Sequence, residues 1–80
     1  MKLNILIHEQ DTDSAWGSSA KPFIDRAAAQ DTMRHDYEDT IKTWGFDETS
    51  QTEEHKAYCH DGEALVRDDT DIETWRIEEH

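Results

Sequence analysis

Five apolar residues, Ala29, Met33, Tyr37, Ile41 and Trp44, recur at intervals of four, four, four and three. An α-helix turns once per 3.6 residues, so this spacing aligns them in one stripe. Gln30, Asp31, Arg34, His35, Glu38, Asp39 and Lys42 fall mostly around the rest of the cylinder. Asp25 stands where an N-cap belongs, because its short carboxylate can accept from the first free backbone N–H groups. Gly45 stands where a helix ends in the left-handed region, and Phe46 behind it can fold back on the last turn. The pattern predicts a helix over 25–44 whose single apolar stripe must be covered by something else in the chain.

The rest of the chain reads in the two-residue period of strands. Residues 2–9 alternate, with Leu3, Ile5 and Ile7 on one face and Asn4, Leu6 and His8 on the other. Residues 11–14 are a polar turn. Trp16 to Ser19 suggest a loop, Lys21 to Ile24 an extended stretch, and Pro22 bars that stretch from a central strand position. After a polar connection at 47–52, residues 54–60 alternate again. Asp61-Gly62 is a two-residue hairpin signal, since both positions favour residues that tolerate positive φ. Residues 63–67 return, 68–71 form a second acidic turn, and 72–79 close the chain with Trp75 and Ile77 on one face. The expected fold is α+β: one domain over 1–80, with one long helix packed on an antiparallel sheet of three to five strands. Leu3, Ile5, Ile7, Trp75 and Ile77 are expected to face the helical stripe.

Composition sets the limits. Leu, Ile, Val and Phe supply only twelve of 80 residues beside a net charge of −12, a combination that leans toward disorder. Seven aromatic side chains, three of them Trp, offset this by the area each can bury. The excess of 20 acids over eight bases opposes direct binding to nucleic acid phosphates. No apolar run is long enough to span a bilayer, so no membrane partner is expected. Cys59 is the sole cysteine; it can form no internal disulfide, which fits a reducing, cytoplasmic setting. As a strand residue it points away from its neighbour His60, so that pair is not read as a nucleophile and base.

The five histidines lack zinc spacing: there is no HxxxH, CxxC or HExxH, and His55 and Cys59 would lie roughly 13 Å apart on a strand. Counted from Asp11 or Asp69, the sixth and twelfth places lack the Gly and Glu of a calcium loop. No metal or cofactor is expected. With no GxSxG, no phosphate-cradling glycine loop and too little chain to wall a cleft for paired carboxylates, no enzyme is expected either.

The acids themselves remain. Asp36, Glu38 and Asp39 lie on the helix exterior, Asp61 and Glu63 flank the first hairpin turn, and Asp68, Asp69, Asp71 and Glu73 crowd the second. A solvated surface is the ordinary reading of such runs, and a salt-adapted one the next. Yet solubility needs a net charge of only about 2–8, and the surplus costs compactness through self-repulsion. Rows of carboxylates on a helix face or along strands can instead imitate a phosphate backbone and meet a basic protein surface.

The opening run Met1 to His8, the step Pro22-Phe23-Ile24-Asp25-Arg26-Ala27-Ala28-Ala29-Gln30 and the closing Trp75 to Glu79 resemble short proteins carried by phages and mobile elements of bacteria. That resemblance implies the strand–helix–strand order, and some small acidic proteins of such elements inhibit host defence, anti-CRISPR proteins among them. The expectation is a non-enzymatic inhibitor that occupies the basic surface of a host nucleic-acid-handling complex through the nine acids just named. Exposed aromatics such as Trp16 or Tyr58 would anchor it. The alternative is a small acidic interaction module or homodimer, joined through the sheet face that one helix leaves uncovered. On the first reading, reversing Asp68, Asp69 and Asp71 should weaken binding more than reversing Asp11 and Asp13.

Overall fold

The computed structural model describes residues 2–13 and 16–80. Met1, Ser14 of the expected polar turn and Ala15 lie outside the described residues. Six elements follow in order: β1 (Asn4–Asp11), β2 (Trp16–Phe23), α1 (Arg26–Trp44), β3 (His55–Cys59), β4 (Glu63–Asp68) and β5 (Asp71–Glu79). The strands form one five-stranded sheet in the order β2-β1-β5-β4-β3, each pair antiparallel. The helix packs across one face of it. Among the described residues, no helix is long and apolar enough to cross a membrane.

The helix begins and ends where its sequence directs. Asp25 accepts from the Ala27 N–H at 3.0 Å. Gly45 adopts φ 63°, and its N–H donates to Lys42 O while the Phe46 N–H donates to Ile41 O. These paired bonds satisfy carbonyls that the last turn would leave bare. They also fold Phe46 inward, where it is buried. Ala29, Met33 and Tyr37 are buried, and Ile41 and Trp44 pack half-buried against the same core.

The sheet departs from expectation in three ways. First, Trp16 to Ser19 are not a loop: residues 16–23 pair along the whole of β1, from Asp11↔Trp16 to Asn4↔Phe23. Pro22 is tolerated because β2 is an edge strand. Second, the helix-facing side of β1 is the opposite one. Leu6 is buried beside Ile77, and His8 stands beside Trp75, whereas Ile5 and Ile7 point to the uncovered face and Leu3 is exposed.

The reason for this choice lies in the polar residues that share the inner face. Asn4 Nδ2 donates to Ile24 O at 3.2 Å. His8 stacks on Trp75 with ring centres 4.7 Å apart and bonds Glu73 at 2.8 Å. Asn4 Nδ2 and the His8 ring thus find partners, which offsets part of the penalty of their burial, while Asn4 Oδ1 and the Trp75 indole nitrogen stay buried without a hydrogen bond among the described residues. Third, neither Asp61 nor Gly62 has positive φ. A Cβ on Gly62 would instead come within 3.2 Å of Arg26 Nη2, so this glycine clears room for a guanidinium. In the β4–β5 turn Asp69 takes positive φ, at 59°, a conformation Asp tolerates better than most residues.

Tyr37 carries a pH prediction. Its ring meets Trp75 edge-on at 6.3 Å, and its hydroxyl donates to Glu48 Oε2 at 3.4 Å. Burial first, and the neighbouring Glu48 second, push its pKa up to about 12. A folded-state value above the unfolded one near 10 means this stability is complete below pH 10 and lost as pH rises toward 12. The loss is ~2 kcal/mol. Circular dichroism melts from neutral pH to pH 12 should show it, and Tyr37→Phe should remove most of it. A remainder is expected because burial also raises Tyr58, with Glu63 adding to the effect.

Candidate functional site

The antiparallel topology sorts the acids by end. Residues 61 and 62 lie at one end of β4 and residues 69 and 70 at the other. The helix N-terminus belongs to the first end, where Gln30 Nε2 donates to Asp61 O at 2.9 Å. Its C-terminal half belongs to the second. There Asp39, Thr40, Thr43 and Trp44 face Asp68, Asp71 and Glu73 across a cleft of ≈ 510 Å³.

Backbone bonds draw further acidic segments to this second end. The Asp13 N–H donates to Asp71 Oδ1 at 2.9 Å, bringing in the β1–β2 connection. The Asp69 N–H donates to Glu54 O at 2.7 Å, bringing in the segment before β3. His55 ties the β3–β4 pair to the post-helix segment: Nδ1 lies 3.3 Å from Asp68 Oδ1 and Nε2 lies 3.1 Å from Asp47 O. Its ring stacks on Phe46 at 4.0 Å. Asp47 is exposed, and bonds from the Thr49 hydroxyl and N–H hold its carboxyl below the usual range.

One end of the molecule therefore gathers Asp13, Asp39, Asp47, Glu54, Asp68, Asp69 and Asp71 from five separate stretches of chain. The carbonyl end of α1 points the same way, adding the negative pole of its dipole. Lys42 lies in that last turn and offsets part of it. The arrangement is a field of carboxylates, all exposed but the half-buried Asp71, suited to bind cationic side chains.

Of the nine acids singled out in the sequence, the structure brings together Asp39, Asp68, Asp69 and Asp71. Asp61 and Glu63 lie at the opposite end and belong to no common surface with them. Asp36 is half-buried on the helix, and Glu38 lies on a flank with Tyr37, Ile41 and Lys42. Glu73 is not a surface group at all: it is 5% exposed and bonded to His8, so it holds the core side of the cleft together. Asp13 belongs with Asp71 and makes a poor contrast to it. Asp47 and Glu54 escaped sequence reading because only tertiary bonds place them here. Cys59 lies half-buried against the core, and burial raises its thiol pKa against the opposing pull of Arg34. No group of acids, histidines and cysteine among the described residues converges as a metal site.

Comparison with family models, curated proteins and solved structures gave no match.

Proposed function

We propose that the protein is a non-enzymatic binding protein whose acidic pole occupies a basic, nucleic-acid-binding surface of a partner. Inhibition of a host nucleic-acid-handling complex, of the kind phage and mobile-element proteins including anti-CRISPRs carry out, is the activity such a pole serves. The observation that carries the reading is the gathering of carboxylates from five chain segments at one end, capped by the negative pole of the helix. A surface made only for solubility has no need to concentrate its charge. Concentration raises self-repulsion, and it is favourable only against cations.

Capture from a bacterial lysate at low salt tests this. The protein should retain a nucleic-acid-binding partner, and added DNA or RNA should displace it. Retention should fall steeply as salt rises, because carboxylates would replace phosphates on the partner's Lys and Arg. Retention indifferent to competing nucleic acid and to salt would overturn the mimicry.

A further inference from the structure

We propose that the uncovered face of the sheet is an interface for a second copy of this chain, packed face to face about a two-fold axis close to β5. The proposal concerns a different surface from the acidic pole and does not depend on its function.

The pairing registers fix what this face presents. Its first row, read from β2 to β3, is Trp16, Asp11, Ile72, Arg67, Lys56. Across the whole face, Lys56, Arg67 and Arg76 stand against Glu9, Asp11, Glu63 and Glu78, a net of 3 − 4 = −1. The rest of the molecule carries the other −11 of the total −12. A basic partner or a polycation is drawn to the pole, and an anionic membrane is repelled everywhere. This near-neutral face offers a second, equally acidic copy the smallest Coulomb penalty, although an axis along β5 sets the two acidic poles at the same end.

The order within the first row selects that copy. A two-fold axis along the central strand β5 exchanges β1 with β4 and β2 with β3. Each row is then laid on its own reverse. Asp11 of one copy meets Arg67 of the other, Ile72 meets Ile72, and Trp16 meets Lys56, each mixed pair occurring twice.

Trp16 is 86% exposed, a costly state for an indole unless something covers it. Its face suits a lysine ammonium. It also walls a groove of ≈ 670 Å³ with Asp11, Ser18, Ile72 and Thr74, where the partner's Lys56 and Arg67 would enter. Arg76 meets its own counterpart near the axis, but its charge is already matched within each chain by Glu9 at 2.6 Å and Glu78 at 3.0 Å. In the rows behind, the same axis lays Leu65 on Glu9 and Ile7 on Glu63, so apolar contact there is with the aliphatic stems of the glutamates and the first row carries the selectivity.

Area sets the affinity. Five strands of five to nine residues, about 4.8 Å apart, give a face of roughly 570 Å² per copy. The total of about 1,100 Å² lies at the low end for a specific interface. A reversible dimer that strengthens with salt is expected, since salt screens the repulsion of two net charges of −12.

Sedimentation equilibrium over a range of protein concentrations is the test. Asp11→Arg changes the net charge to −12 + 2 = −10 and Arg67→Asp changes it to −12 − 2 = −14. Global repulsion alone predicts that the first tightens the dimer; complementarity predicts that each weakens it about tenfold or more. The double variant restores the original charge and should recover the dimer. An equimolar mixture of the two single variants should form heterodimers in preference to either homodimer. Trp16→Ser should weaken association in every background. A wild-type monomer at all concentrations, a dimer tightened by Asp11→Arg, or a double variant that fails to recover would each overturn the proposal.

Discussion

Replacing Met33 by Asp is expected to unfold the domain at room temperature, while Glu38→Lys leaves its melting curve nearly unchanged. Met33 is 1% exposed and sits in the cluster with Leu6, Val66 and Trp75. A carboxylate there is cut off from water among apolar side chains, and the loss is expected to exceed about 4 kcal/mol. A single-core domain of this size has little more than that in reserve. Glu38 is exposed on the flank of the helix, where a change of sign is worth within about 0.5 kcal/mol. Ile41→Asp should fall between them, since Ile41 is only half-buried against the core. Circular dichroism melts rank the three. Equal effects at Met33 and Glu38 would mean that the stripe does not face the sheet.

The helix was legible because its period, its N-cap Asp25 and its C-terminal Gly45 all indicate the same element. The three-strand meander was legible for a similar reason: its turns are local. The inward face of β1 was not, because both of its faces carry aliphatics. Leu3, Ile5 and Ile7 make the more apolar set, yet Asn4 and His8 go inward because Ile24, Glu73 and Trp75 receive them. Those partners lie far along the chain and cannot be read from the strand. Edge strand β2 was hidden by its composition. Gly17, Ser18 and Ser19 look like loop, and only pairing to β1 makes them a strand.

The acidic pole shows the same division. Asp68, Asp69 and Asp71 were visible as a cluster because they are adjacent in sequence. Their company was not, since Asp13, Asp39, Asp47 and Glu54 arrive through bonds and packing that join distant segments. Asp61 and Glu63 looked equivalent in sequence, but six residues of antiparallel strand carry them to the other end.

That separation permits a comparison at constant net charge, in which binding and stability are expected to move in opposite directions. Asp68→Asn, Asp69→Asn and Asp71→Asn together bring the chain to −12 + 3 = −9. So do Asp61→Asn, Glu63→Gln and Glu79→Gln at the far end. Asn is chosen at the pole because it tolerates the left-handed φ of residue 69 and still accepts the Asp13 N–H at residue 71. If the pole imitates phosphates, the first triple should abolish lysate capture at moderate salt. It should also lower the salt slope of binding by up to about 3, one for each lost contact. The second triple should leave both nearly intact.

Stability should respond the other way. Removing three charges from the crowded end relieves more repulsion than removing three from the sparse end. The pole triple should therefore melt higher by about 2–5 °C at low salt. The gain should vanish at high salt, where screening has already removed the repulsion. A pole retained at a cost in stability and needed for capture is a binding surface. Equal melting shifts and equal capture for the two triples would leave the charge as a solvated coat.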